Sequence, residues 1–167
     1  MTKTKILDAN QISQKLNRMA YEVYEKNYSA KELLLVGIDG NGFKVTQRLG
    51  EILKKISPLK IKVCKITLDK ENPWSAQPVI DFTEKDYSNK TVILIDDVLN
   101  SGKTLMYAVK LFLDKPVKRL STLVLVDRNH TRYPVKADFV GLSLSTTLQE
   151  HIDADFSKKG NETVYLM

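Results

Sequence analysis

Short apolar runs alternate along this chain with longer segments in which apolar residues recur every three or four positions. The short runs have the length of β-strands, and several are apolar nearly throughout, as in strands that are covered on both faces. The predicted strands are 33–38, 61–68, 91–96, 121–127 and 139–144, with a further short strand in "TVYLM" at the end of the sequence.

The segments between these runs have the period of amphipathic helices. The first predicted helix spans residues 8–27, with Asp8 as its N-terminal cap. A second apolar stripe covers residues 43–56, and a third helix runs from 102 to about 114. Strands that alternate with helices predict an α/β fold with a mostly parallel sheet. A chain of 167 residues suits a single domain, 1–167.

Composition and charge narrow the class of protein. Hydrophobic residues make up 43% of the chain and charged residues 28%, which is typical of a globular protein. No apolar run approaches the roughly 18 residues of a membrane span, and the first residues hold no apolar signal segment, so we expect a cytoplasmic protein without a membrane partner. The single cysteine, Cys64, excludes an internal disulfide. The net charge of +6 favours polyanionic partners, such as phosphates or nucleic acid.

Polar segments follow three of the predicted strands at the point where each strand ends. They are "DGNG" at 39–42, "DDVLNSGKT" at 96–104 and "DRNH" at 127–130. In parallel sheets, ligands bind beyond the carboxyl ends of the strands. The sequence therefore predicts a binding site where these three segments meet.

The segment "DDVLNSGKT" combines an acidic pair with a loop suited to an anion. Its last residues begin the third predicted helix, where backbone N–H groups lack intrahelical partners and the helix dipole favours negative charge. Gly102 allows close approach, and the hydroxyls of Ser101 and Thr104 can donate hydrogen bonds. Asp96 and Asp97 can accept hydrogen bonds from a vicinal diol or help to hold Mg²⁺. A pentose that carries a phosphate fits both halves of the segment.

Two other interpretations of these residues compete with a phosphorylated pentose. "GKT" also ends the nucleotide-binding P-loop pattern, but the first glycine of that pattern would fall on Asp97. A capped strand–helix turn without any ligand is a further possibility, but packing alone hardly explains two carboxylates at the end of a strand. The phosphorylated pentose remains the favoured ligand.

The stretch "VILIDDVLNSGKT" resembles the 5-phosphoribosyl-1-pyrophosphate (PRPP) signature of the type I phosphoribosyltransferases. "ILDANQISQKLNRMAYEVYEKN", "LLLVGIDGNG" and "LVLVDRNHTRYPVKADFVGLSLST" are similar to one branch of that family, the bifunctional pyrimidine operon attenuators/uracil phosphoribosyltransferases. The similarity covers roughly residues 5–150. It implies the type I phosphoribosyltransferase fold, an α/β fold whose mostly parallel central sheet is flanked by helices, with a small hood formed by the termini and the last loop.

The resemblance implies how PRPP would bind. Asp96 and Asp97 would act at the catalytic centre by holding the ribose hydroxyls, and would reach a metal only indirectly, through those hydroxyls or water. The 5′-phosphate would lie on Asn100, Ser101, Gly102, Lys103 and Thr104. The pyrophosphate would lie on Asp39, Gly40, Asn41 and Gly42.

The resemblance also implies a base site and a lid. Phe139 would stack on the nucleobase, Val140 would offer backbone groups to it, and Asp127 would neighbour its edge. The lid would be the loop after residue 68, which holds Lys70 and Trp74.

The implied reaction transfers the phosphoribosyl group of PRPP to a nucleobase, with uracil favoured, and gives UMP and pyrophosphate. Mg²⁺ would be the cofactor, and the protein would mainly position the reactants and stabilise charge. A purine base is an alternative acceptor. Asn100 argues against it, because purine-salvage relatives usually carry an aspartate there and a neutral amide cannot act as a general base.

A second function from another class stays open, namely an RNA-binding regulator of pyrimidine genes that senses PRPP or nucleotides with weak or no catalysis. A basic face would then grip RNA phosphates. The residues predicted for this face are Arg18, Arg128, His130, Arg132 and Lys136. In either case we expect a homodimer or a higher homo-oligomer.

The chain departs from the family in its pyrophosphate loop and in its lid. Uracil relatives carry a basic residue in the loop, whereas "DGNG" has none and adds Asp39. This carboxylate would repel pyrophosphate unless Mg²⁺ or a lysine intervenes. The lid is shorter than in the family, and in "LDKENPW" Lys70 is the only nearby cation. Weak or altered catalysis is therefore an open alternative.

Overall fold

The structure is a computed structural model that describes residues 2–167. It contains four helices and nine strands within that range. In chain order they are β1 (Thr4–Leu7), α1 (Ala9–Lys26), β2 (Glu32–Ile38), α2 (Asn41–Ile56), β3 (Lys60–Thr67), β4 (Val79–Ile80), α3 (Glu84–Tyr87), β5 (Thr91–Leu99), α4 (Lys103–Phe112), β6 (Arg119–Asp127), β7 (Phe139–Ser143), β8 (Ile152–Asp155) and β9 (Thr163–Leu166).

A six-stranded sheet in the order β4-β3-β2-β5-β6-β7 forms the centre of the fold. All neighbouring strands from β3 to β7 are parallel, and β4 is antiparallel to β3. The strand order reverses between β2 and β5, because the chain leaves β2 towards β3 and later returns to the other side of β2. Such a switch point opens a crevice at the carboxyl ends of the two strands. The predicted α/β fold with a mostly parallel sheet is confirmed.

Helices cover both faces of this sheet. Alternate strand residues point to opposite faces, so Leu35 and Ile95 pack towards α1 and α2, whereas Val36 and Leu94 pack towards α4. The apolar stripes that predicted α1 and α2 account for this burial. Asp8 caps α1 as predicted, in a reciprocal pair of hydrogen bonds with Gln11. No helix within residues 2–167 is long and apolar enough to cross a membrane.

A separate three-stranded antiparallel sheet, β1-β9-β8, forms the hood. Its strands come from both ends of the chain, as the resemblance implied. Leu7, Ala154 and Val164 pack into the same apolar cluster as α1 and α2. The hood is therefore fixed to the main sheet, and β8 lies next to β5.

Candidate active site

The acidic pair lies at the switch point, near the end of β5. Asp96 is only 4% exposed, and its Oδ1 accepts a hydrogen bond of 2.9 Å from the Asp97 N–H. A Cβ at Gly42 would lie 2.8 Å from the same oxygen, so only glycine lets the start of α2 pack this closely. Burial raises the pKa of Asp96 well above its ordinary value, the charge of Asp97 raises it further, and the charge of Lys70 opposes the rise. This pair of carboxylates favours a cation or hydrogen-bond donors as its ligand.

The loop between β5 and α4 is built around Gly102. This residue has φ of 84°, a left-handed conformation that favours glycine, and a Cβ there would clash with Val135. The carbonyl of Ser101 accepts hydrogen bonds from the N–H groups of Arg132 and Tyr133, which hold the loop from outside. Gly102 gives α4 no side-chain cap, and the Lys103 N–H donates a long hydrogen bond of 3.3 Å to the hydroxyl of Ser101. The next N–H groups of the first turn, those of Thr104 and Leu105, are available to an anion.

The structure brings the acidic pair and the loop together in one cleft of about 180 Å³. Besides Asp96, Asp97 and the loop residues 100–104, the cleft is lined by Lys70 of the lid and by Ile152 of the hood. A wider opening of about 770 Å³ continues from it towards residues 128–132 and His151. The cleft thus has an acidic end, a loop whose backbone amides suit an anion (residues 100–104, called the anion-binding loop) and a mixed apolar and cationic wall.

The "DGNG" segment lies beside the acidic pair, through the contact between Gly42 and Asp96. Asn41 donates a hydrogen bond of 2.7 Å to the carbonyl of Ala154 and so ties this loop to the hood. The Asp39 carboxylate lies 3.6 Å from Nζ of Lys65, a residue of β3. A lysine therefore does intervene at this loop, and the sequence pattern does not reveal it because Lys65 lies 26 positions beyond Asp39.

The three residues predicted for the base site lie in different environments, and that of Phe139 excludes its predicted role. Phe139 is only 2% exposed and packs beneath α1, where Nζ of Lys26 lies over its ring. The prediction that Phe139 stacks on a base is wrong, because the residue begins β7 in the core instead of lying beyond its carboxyl end. The carbonyl of Val140 accepts a hydrogen bond of 3.2 Å from Arg18. Asp127 is half-buried and accepts a hydrogen bond from the Asn129 N–H.

Arg128 was assigned to an RNA-binding face, but the structure places it in the wall of the site. It is only 9% exposed and lines the wider opening. Its guanidinium donates to the hydroxyl of Thr146 (3.0 Å), the carbonyl of Thr147 (3.2 Å) and the side-chain oxygen of Asn100 (3.3 Å). Within residues 2–167 it forms no ion pair with a carboxylate. Arg128 is thus a buried cation with neutral partners, next to the anion-binding loop.

The remaining residues of the predicted basic face are divided between different environments. Arg18 binds Glu22 and two carbonyls of β7. His130 forms a hydrogen bond with the carbonyl of Thr146 beside the site. Arg132 and Lys136 are exposed on the loop after β6.

The lid residues are placed on different sides of the anion-binding loop. Lys70 lines the cleft, whereas Trp74 is 61% exposed and does not. Trp74 instead packs against Tyr107 of α4, with their ring centroids 6.2 Å apart. Lys103 joins the two segments, because its Nζ lies 5.8 Å from the Trp74 ring and donates to the carbonyl of Glu71 at 2.8 Å. The lid is therefore fastened to the first turn of α4.

A parallel sheet with an acidic pair and an anion-binding loop at its switch point is the arrangement of a phosphoribosyltransferase. Residues 2–156 match the family described as "Phosphoribosyl transferase domain", and the chain belongs to this family. The assignment that was made from the sequence is confirmed. The fold agrees with the hypoxanthine phosphoribosyltransferase of Trypanosoma cruzi, with a TM-score of 0.80, 16% identity and coverage of 98% of this chain and 95% of that one.

More similar sequences carry the name bifunctional protein PyrR. The protein of that name from Clostridium acetobutylicum is 34% identical over 160 residues, which are 92% of this chain and 90% of that protein. The one from Ligilactobacillus salivarius is 35% identical over 157 residues, 88% of each chain. The chain is thus a PyrR-like member of the phosphoribosyltransferase family.

Proposed function

We propose that this phosphoribosyltransferase transfers the 5-phosphoribosyl group of PRPP to uracil and releases pyrophosphate. One observation carries the proposal: the acidic pair and the anion-binding loop open into the same cleft. The 5′-phosphate accepts hydrogen bonds from the first turn of α4, and the ribose hydroxyls donate to Asp96 and Asp97. The whole chain, 1–167, acts as one domain, since the hood and the main sheet share an apolar cluster.

The residues of the cleft fit a magnesium ion that is held mainly by the substrate. No group of three or more potential metal-binding His, Cys, Asp or Glu side chains occurs among the described residues. Mg²⁺ is commonly bound by one or two carboxylates together with substrate phosphates and water, and Asp96 and Asp97 suffice for that mode. When bound, Mg²⁺ neutralises charge on the leaving pyrophosphate.

The preference for uracil rests on the base-side wall of the cleft. Ile152 offers an apolar surface to one side of the cleft, and Asn100 lies at the mouth of the anion-binding loop. Because Arg128 donates to the side-chain oxygen of Asn100, the amide NH₂ of Asn100 is left to donate to a ligand. Uracil carries two carbonyl oxygens that accept such a bond. Asn100 cannot remove a proton, which disfavours a mechanism with a general base at this position.

The second candidate function is the binding of RNA by a regulator of pyrimidine genes. The net charge of +6 and the exposed side chains of Arg132 and Lys136 favour it. Arg128 takes no part in it, since it is buried in the wall of the site. A homo-oligomer would present several copies of this basic surface to an RNA. Binding to RNA through phosphates falls steeply with salt, which gives this function its own signature.

The test is an assay in which the protein is incubated with PRPP, Mg²⁺ and each nucleobase in turn. The release of pyrophosphate and the formation of nucleotide are measured. We expect UMP from uracil and no product from hypoxanthine or guanine. A product from a purine base alone would contradict the choice of uracil. Salt-sensitive binding to a pyrimidine-operon leader RNA, without turnover of any base, would favour the regulator instead.

A further inference from the structure

Three donors from two neighbouring strands and their loops surround the carboxylate of Asp39. Oδ1 accepts a hydrogen bond of 2.9 Å from the Gly40 N–H, and Oδ2 accepts one of 3.2 Å from the hydroxyl of Thr67. Nζ of Lys65 lies 3.6 Å from Oδ1. Thr67 and Lys65 belong to β3, whose register with β2 pairs Lys65 with Gly37 and brings these donors to the end of β2.

An amide, a hydroxyl and an ammonium group are the donors that bind phosphate oxygens in proteins. Asp39 is the anion that these donors hold in the free protein. Burial raises the pKa of Asp39, but the hydrogen bonds from Gly40 and Thr67 and the charge of Lys65 outweigh that effect and leave it below its ordinary value. The carboxylate is therefore ionised at neutral pH.

The surroundings leave room for a larger anion. A Cβ built on Gly40 would meet nothing within 4 Å, so the space beside this amide is open. Next to it, α2 begins at Asn41 without a side-chain cap, and its first N–H groups lack intrahelical acceptors. The side chain of Lys65 is 38% exposed, and its Nζ also lies 5.5 Å from the centroid of the Phe43 ring. Lys65 can follow a ligand without breaking a buried contact.

From this geometry we propose that Lys65, Thr67 and the Gly40 amide form the seat for the diphosphate of PRPP, and that Asp39 occupies this seat as an internal anion until PRPP displaces it. The inference rests on the proposed function and adds the cation that the loop itself lacks. It explains how a loop with a carboxylate and no basic residue can receive a diphosphate: the positive charge comes from the adjacent strand.

Displacement of Asp39 weakens the binding of the diphosphate, because the carboxylate competes for the same donors. The 5′-phosphate does not experience this competition, since it binds at α4 on the other side of the acidic pair. Changes at this seat therefore alter the affinity for PRPP and leave the affinity for ribose 5-phosphate, which has no diphosphate, unaltered.

The experiment measures the dissociation constants of PRPP and of ribose 5-phosphate by calorimetry, with Mg²⁺, for the full chain and two variants. Asp39→Asn should bind PRPP about tenfold more tightly, and Lys65→Met about tenfold more weakly, as expected for one charge-assisted contact. Ribose 5-phosphate should bind all three proteins equally. Lys62→Met and Asp114→Asn are matched controls, because they make the same charge changes at exposed positions away from the loop.

Several outcomes would overturn the proposal. Weaker binding of PRPP to Asp39→Asn would mean that Asp39 assists the diphosphate, for example by holding Mg²⁺. Equal changes for PRPP and ribose 5-phosphate, or equal effects of Lys62→Met and Lys65→Met, would reduce the seat to general electrostatics. If the unaltered protein bound ribose 5-phosphate but not PRPP, this inference would fail while the 5′-phosphate site stood. If it bound neither ligand, the proposed function would fail with it.

Discussion

Replacement of Asp96 by asparagine should stabilise the free protein and abolish its binding of PRPP. Asp96 is 4% exposed, and its carboxylate lies against Gly42 and beside Asp97. Asparagine has nearly the same shape, so the change leaves no cavity. Its side-chain oxygen can keep the hydrogen bond from the Asp97 N–H. The perturbation is therefore the loss of one buried charge.

The magnitude follows from the cost of burying a carboxylate that has few donors. Such a group costs about 1–3 kcal/mol of stability when it is poorly satisfied, so Asp96→Asn should gain on the order of 2 kcal/mol. For a chain of this size, 2 kcal/mol raises the Tm by about 4–8 °C. Asp97→Asn is the matched control, because Asp97 is half-buried and its replacement should gain less.

The gain should depend on pH in a defined direction. Burial and the charge of Asp97 raise the pKa of Asp96 in the folded protein above its ordinary value of 3.8. Below that value Asp96 is protonated in both states and costs nothing. As the pH rises towards the folded pKa, the unfolded chain ionises first, and the wild type loses up to about 1.4 kcal/mol per pH unit relative to Asp96→Asn. Above the folded pKa the difference is constant.

Denaturant unfolding of the wild type and both variants at a series of pH values, without ligand, measures this difference. Calorimetry with PRPP measures the loss of binding in parallel. If Asp96→Asn were no more stable than the wild type at neutral pH, or if its advantage were the same at pH 3 and pH 8, the buried charge would not be the cause. Retention of PRPP affinity by this variant would remove Asp96 from the site.

Three further predictions test other parts of the site. Arg128→Met should raise the KM for uracil about tenfold and weaken the binding of ribose 5-phosphate much less, because Arg128 orients the Asn100 side chain whereas the phosphate is held mainly by backbone amides of α4. Equal losses for both ligands would mean general disruption. Gly102→Ala should lower the free energy of unfolding by about 1–3 kcal/mol and abolish ribose 5-phosphate binding, since Gly102 has φ of 84° and no room for a Cβ. Unchanged stability of this variant would contradict the expected backbone strain. Trp74 is the only tryptophan of the chain, and Lys103 lies near its ring and joins the lid to α4. When PRPP contacts Lys103 and loosens the lid, the tryptophan fluorescence should therefore change, and Lys103→Met should lose that change.

The central sheet was predictable from the sequence because β2, β5 and β6 are continuous apolar runs that are buried on both faces. The hood strands β1 and β8 have four residues each and are partly exposed, so their apolar pattern is too short to stand out. β4 has only two residues, and it is recognisable as a strand only through its pairing with β3. The residues that the hood brings to the cleft, above all Ile152, were missed for the same reason.

The candidate site also has a part that could be predicted from the sequence and a part that could not. The acidic pair and the loop around Gly102 are contiguous in sequence, so their chemistry was predictable without knowledge of the fold. Lys65 meets Asp39 only because two strands pair in one register across an intervening helix. Phe139 was misplaced because an apolar residue at the start of a strand was read as if it lay beyond the strand's end. Contacts that depend on register and strand direction need the structure.

The two proposed anion sites, the loop before α4 and the seat at Asp39, differ in whether an anion of the protein already occupies them. The loop before α4 offers free amides to a phosphate, whereas the seat beside β2 already holds a carboxylate. A nucleoside monophosphate needs only the first site and PRPP needs both, so Asp39 shifts the balance between them towards the nucleotide. UMP should therefore displace PRPP more readily from the wild type than from Asp39→Asn, with a ratio of dissociation constants about tenfold different, as one charged contact predicts. A competition titration measures this ratio. If the ratio were the same in both proteins, Asp39 would have no part in the choice between substrate and product.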